Sequence, residues 1–265
     1  MDFVREQGDM LSRARAMALL QGVRPSANII AQLEALQASS GGWPLVLESG
    51  QPEAIAGTIE MLWALLDVGL RKHEMVWKSF EFLSSLQEED GVWQVPDADG
   101  QAAPWWLQRG EEAAYPYLTA LLSSLLVAYG LSQDPTADRA LDLLLNQQLA
   151  DGTFVGFPRY TGWYALPILA TRLGQRSGPA QNILRVTAQK FGEGGWYASQ
   201  FATLLRNLLM AGYGMETPLV RNSWEQVLMR QNEDGSWTGE EEDPRAVANT
   251  LDVIWCWRKI NIASR

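Results

Sequence analysis

The chain has 265 residues, of which 47% are apolar and 20% charged, close to the globular average, so disorder and low-complexity architectures are excluded. Its 21 Lys and Arg against 31 Asp and Glu leave a net charge of −10, which excludes the clustered basic surface that nucleic-acid binding needs. A single cysteine, Cys256, and a single histidine, His73, exclude an internal disulfide, a thiolate metal cage and a multi-histidine zinc site.

The opening MDFVREQGDM is polar and acidic, unlike a targeting peptide. The longest apolar stretches, such as Tyr117–Leu131, fall short of the ~20 residues of a membrane span. A cytoplasmic protein is therefore expected.

In chain order, helical periodicity first covers about Phe3–Leu20 and Ala27–Leu36. A turn, QASSGGW at 37–43, follows and then recurs: QEEDGVW at 87–93, QLADGTF at 148–154, KFGEGGW at 190–196 and QNEDGSW at 231–237. Each copy places Gln, or once Lys, six residues before an aromatic, with a glycine four residues in. Five in-frame copies, roughly 40–60 residues apart, define a repeat architecture. Before the turns run amphipathic segments such as Val76–Leu86, Ala137–Leu145 and Trp224–Met229. After them come more uniformly apolar helices, about Ala54–Leu70, Ala113–Leu131, Gly162–Leu173, Tyr197–Ala211 and Ala246–Ile260. A helix apolar nearly all round is buried on most sides, whereas an amphipathic one buries a single face. The alternation predicts an all-α protein: a single α/α barrel (toroid) of five to six helical hairpins, amphipathic helices outside and apolar helices inside. No linker divides it, so residues 1–265 read as one domain. Within each turn, glycine supplies the left-handed backbone that ends a helix, the Gln amide can bond neighbouring helix ends, and the aromatic covers the junction.

Gln-x-x-Asp-Gly-x-Trp repeats resemble the QW motifs of the terpenoid cyclase and prenyltransferase superfamily, across about residues 25–260. Within it the sequence is similar to squalene–hopene-type cyclases, protein prenyltransferase β-subunits and small bacterial single-domain relatives. The resemblance implies a six-hairpin barrel whose apolar centre takes an isoprenoid, and hence a hydrophobic isoprenoid small molecule as partner. It is compatible with weak peripheral membrane association; the oligomeric state is left open. Two departures stand out. Protein prenyltransferases hold zinc with Asp, Cys and His, whereas here His73 starts an outer-helix pattern and Cys256 lies far away in sequence. Squalene–hopene-type cyclases protonate a double bond with an Asp-x-Asp-Asp-Thr-Ala motif after a Gly-Gly-Trp turn. The matching stretch here, QPEAIAGT at 51–58, keeps the Thr and lacks the aspartates.

All inner helices would begin at the turn end of the barrel, where their dipoles converge. Charged residues near those starts are Glu53, Asp97, Asp99, Glu111, Glu112, Arg159, Asp243 and Arg245. For any single one, a helix cap or a solvated charge is the plainer reading. The stretch QVPDADGQAAPWWLQRG at 94–110 is the longest non-helical connection, and reads either as a packed loop or as a lid carrying an acid. Polyene protonation needs a carboxylic acid that stays neutral until used. Asp99 and Asp97 lie close enough to raise each other's proton affinity, with Trp105 and Trp106 to shield them. They rank first as the general acid, Glu53 second and Asp243 third. Substrate-lining aromatics are Trp63, Trp105, Trp106, Tyr115, Trp163, Tyr164, Tyr197, Phe201 and Trp255, which suit either a carbocation or an ordinary core. Three functions compete: a metal-independent, protonation-initiated (class II) cyclase of a linear isoprenoid or meroterpenoid; a non-catalytic isoprenoid- or lipid-binding barrel; and a glycoside hydrolase, against which the repeat frame argues.

Overall fold

The computed structural model describes residues 2–48, 50–93, 95, 114–239 and 245–263. It contains α1 (Asp2–Gln7), α2 (Met10–Gln21), α3 (Ala27–Leu36), β1 (Trp43–Pro44), β2 (Glu53–Ala54), α4 (Ile55–Asp67), α5 (Glu74–Ser85), α6 (Ala114–Tyr129), α7 (Pro135–Gln147), α8 (Pro158–Leu173), α9 (Gly178–Gln189), α10 (Ala198–Met210), α11 (Pro218–Leu228) and α12 (Ala246–Ala263). The two short strands form one antiparallel pair, with Trp43 opposite Ala54 and Pro44 opposite Glu53.

Packing runs from α2 to α4, α6, α8, α10 and α12, and α12 returns to α2. Those six helices form a closed inner ring. Helices α3, α5, α7, α9 and α11 lie outside it, and the short α1 covers α2 and α12. The alternation of amphipathic and apolar segments is thus realised as two concentric layers.

The turn residues act as staples between successive hairpins. The Gln37 amide donates to the Gly41 carbonyl of its own turn (2.9 Å), and to the Met75 carbonyl (2.9 Å) and Ser79 hydroxyl (3.1 Å) of α5. Gln87 repeats this with Gly91 and Thr136 of α7, and Gln148 with Gly152 and Pro179 of α9. Among the described residues the Gln231 amide bonds only the Gly235 carbonyl of its own turn, whereas Gln37, Gln87 and Gln148 each tie their turn to the next outer helix. Glycine is required for the same contact. Gly41 has φ +96°, and a Cβ there would sit 2.1 Å from the Lys78 carbonyl oxygen of α5. The aromatics also bond outward: Trp43 Nε1 donates to Ser79 Oγ (2.8 Å), Trp93 Nε1 to the Leu83 carbonyl (2.8 Å) and Trp237 Nε1 to the Val227 carbonyl (2.8 Å).

In the fourth copy Lys190 replaces Gln, and its side chain is exposed. Gln87→Ala removes two donated bonds and one accepted from Arg139 Nε (2.9 Å), so it should cost about 1–2 kcal/mol in urea denaturation. Lys190→Ala should stay within about 0.5 kcal/mol. Equal costs at the two positions would contradict the staple role.

Boundaries depart from the sequence pattern where local chemistry intervenes. The single helix expected over 3–20 is two, because the Asp9 carboxylate accepts from Ser12 N–H (2.7 Å) and caps α2. Helices α8 and α11 begin several residues before their apolar patterns. Pro158 and Pro218 occupy the first helical turn, where a missing N–H costs nothing.

Candidate active site in the ring lumen

The inner helices all run from the turn end, so a residue's position along its helix sets its depth in the lumen. At the mouth, the exposed Glu60 of α4 meets Arg245, just before α12, with N···O 3.4 Å.

At the same end lies an aromatic cluster. Tyr117 of α6 packs edge-to-face on Tyr164 of α8 (centroids 5.7 Å) and on Phe157 (5.6 Å). Tyr160, one helical turn before Tyr164, accepts from the Gln200 amide of α10 at 2.9 Å. Burial, then the neighbouring Tyr164 and Tyr160, push the Tyr117 hydroxyl well above its ordinary value. Burial, then the Asp252 carboxylate, push Tyr164 up to about 12. Tyr117 and Tyr164 are thus neutral phenols, able to donate hydrogen bonds and to present ring faces.

Deeper still, charge alternates across four inner helices. Asp252 of α12 pairs with Arg206 of α10. Arg206 Nη2 lies 3.8 Å from Asp67 Oδ1 of α4, and Asp67 accepts from Arg15 Nε (3.0 Å) and Nη2 (2.7 Å) of α2. The Arg206 guanidinium also lies over the rings of Trp63 (4.2 Å) and Trp255 (4.9 Å). Burial opposes its charge, but Asp252 and Asp67 more than offset this and hold it above its ordinary pKa. At this depth the middle of the ring, expected to be an apolar cavity, is filled by an ion network. Cys256 lies beside it, and burial pushes its thiol up, away from thiolate character.

The structure distributes the sequence-predicted residues unevenly. Trp63 and Trp255 come together about Arg206, and Tyr164 joins Tyr117 in the phenol cluster. Trp163 turns outward, donating to Thr187 of α9 (3.3 Å) and packing on Trp196. Phe201 packs with Phe191 and Trp196 in that same outer layer. Tyr197 is exposed at the N-cap of α10, and Tyr115 is half-buried on α6. Arg159 stacks over Trp196 at 4.8 Å. The Glu53 carboxylate accepts from Ser40 Oγ within the first turn. Asp97, Asp99, Trp105, Trp106, Glu111, Glu112 and Asp243 lie outside the described residues.

Sequence reasoning passed over Arg206, Asp67, Asp252 and Arg15. The signal was available: three of these charges fall within segments read from the sequence as apolar inner helices. Among the described residues no three His, Cys, Asp or Glu group as a metal site, and no helix is long and apolar enough to cross a membrane.

No protein-family model matches the chain, and no curated protein matches it. Solved structures do. The apo type II terpene cyclase MstE from Scytonema superposes with a TM-score of 0.61 at 14% identity, over 94% of this chain and 86% of that one. This is the terpenoid-cyclase barrel fold. A protein from Actinoplanes gives a TM-score of 0.63 at 20% identity, over 94% of this chain and 89% of its own. The ent-copalyl diphosphate synthase from Streptomyces platensis gives 0.58 at 16%, and 94% of this chain covers half of that enzyme. The helical-barrel fold implied by the resemblance is thus matched by solved structures.

Proposed function

We propose that this barrel is a metal-independent, protonation-initiated (class II) cyclase of a linear isoprenoid or meroterpenoid. The observation that carries the reading is the cluster Tyr117, Phe157, Tyr160 and Tyr164 at the end where every inner helix begins. A polyene folded against these rings would have its cationic intermediates stabilised by about 0.5–2 kcal/mol per face. In the sequence, Asp97 and Asp99 fall between the second turn and α6, which carries Tyr117. They remain our first choice for the proton donor. Asp252, paired with Arg206 below the phenols, would lend its carboxylate to stabilising the developing positive charge. MstE has been solved with geranylgeranyl dihydroxybenzoate as substrate, which supports a meroterpenoid among the candidates.

One observation favours a second reading, a non-catalytic isoprenoid-binding barrel. Trp63 and Trp255, the indoles best placed to hold a cation deep in the lumen, already hold the permanent cation of Arg206.

Both readings are tested by incubation with geranylgeranyl dihydroxybenzoate and with farnesyl and geranylgeranyl diphosphates in excess EDTA. A product of unchanged mass and altered chromatographic mobility, formed equally with and without chelator, is the expected result. Strict metal dependence would overturn the cyclase reading. Saturable binding without conversion would select the second.

A further inference from the structure

The far end of the ring, where the inner helices finish, holds a pocket of about 420 Å³. This lies within the ~300–1,000 Å³ typical of small-molecule sites. Leu19, Leu66, Val127, Leu209, Met210 and Trp255, from five inner helices, supply its apolar walls. Its floor is Asp67, already answered by Arg15 and Arg206. Three further cations, Arg71, Arg258 and Lys259, also line it.

Basic residues at helix C-termini commonly serve only the helix dipole, and that explanation accounts for part of the set. Arg71 Nε donates to the Tyr129 carbonyl at the end of α6 (3.1 Å). Arg258 Nη1 donates to the Ala18 carbonyl in the last turn of α2 (2.9 Å). Lys259 makes no such bond; its ammonium lies 5.3 Å from the Trp255 ring centroid. Among the described residues, no carboxylate lies within ion-pair distance of Arg71, Arg258 or Lys259. The ends of α2, α4, α6, α10 and α12, which line the pocket, bring roughly half a negative charge each, about 2.5 in sum and less than the three cations. In a chain of net charge −10, this end of the lumen is a local positive excess. Its unneutralised character shows at Lys259, where partial burial and the Arg258, Arg71 and Arg206 charges push the ammonium below its ordinary value.

We infer that this pocket binds an amphipathic anion, with a phosphate or carboxylate head among Arg71, Arg258 and Lys259 and a hydrocarbon chain against Leu66, Val127 and Trp255. The Arg206–Asp67 pair separates it from the phenol cluster, so it is a second site, independent of any turnover at the turn end.

Lys259 provides the cleanest probe, because Lys259→Gln removes a charge without removing a hydrogen bond to the helix ends. Isothermal titration would use dodecyl phosphate, laurate, 1-dodecanol and inorganic phosphate, the amphiphiles below their micelle concentrations. The wild-type chain is expected to bind dodecyl phosphate or laurate one to one, at least tenfold more tightly than dodecanol or phosphate alone. Whichever of the two binds more tightly identifies the head group. Lys259→Gln should weaken that binding about tenfold, the loss expected for one charged contact, with unchanged urea stability. Arg185→Gln, an exposed charge-matched control, should bind like wild type. Equal affinity for dodecanol, wild-type affinity in Lys259→Gln, or absence of saturable binding would each overturn the proposal. The cyclase reading can fail without affecting any of these results.

Discussion

Arg206→Ala is expected to destabilise the protein by about 3–5 kcal/mol, the usual cost of stripping one partner from a buried ion network. Arg206 is only 7% exposed, and its loss would leave Asp252 without its cation and Asp67 with Arg15 alone. It would also open the space between Trp63 and Trp255. Arg206→Lys should recover only part of the loss, since a compact ammonium cannot stack its plane on two indoles. Urea unfolding of the three proteins measures this. A cost below about 1 kcal/mol for the alanine variant would mean that the network contributes little and that the ring is held by its apolar contacts alone.

The second large effect concerns chemistry. Asp97→Asn and Asp99→Asn, each scored as product per folded protein, should include at least one variant with turnover lowered about 100-fold or more, the typical contribution of a positioned general acid. Glu53→Gln should retain turnover, because the Glu53 carboxylate is engaged by Ser40 inside the first turn. If both Asp variants turn over like wild type, the proton comes from elsewhere, and Asp243, ranked third among the acids, is the next residue to replace. If Glu53→Gln alone is inactive, the position equivalent to the missing aspartate motif has kept the acid.

The architecture was legible because it is written repeatedly. Five copies of one turn fix the phase of the hairpins, and a Gln that bonds the next outer helix does the same work at each of three neighbouring junctions. Helix starts were less legible where Pro158 and Pro218 extend helices beyond their apolar pattern. The lumen was harder to read for a different reason. Periodicity says that an inner helix is buried on most sides, but it does not say which of its residues turn toward the axis. Trp163 and Trp255 look alike in sequence, yet one bonds an outer helix while the other flanks a buried arginine. Nor does any local pattern link Arg15, Asp67, Arg206 and Asp252, which lie on four helices and meet only when the ring closes. Their sign order, alternating from α2 to α12, has meaning only in that closed arrangement.

The most direct test of the central claim is a crystal structure of the protein soaked with geranylgeraniol, a neutral chain that the basic far-end pocket has no charge to attract. The account predicts the chain at the turn end, against Tyr117, Phe157 and Tyr164, with the Arg206 guanidinium still between Trp63 and Trp255. A chain found only beside Lys259, or a turn end that admits no chain at all, would contradict it.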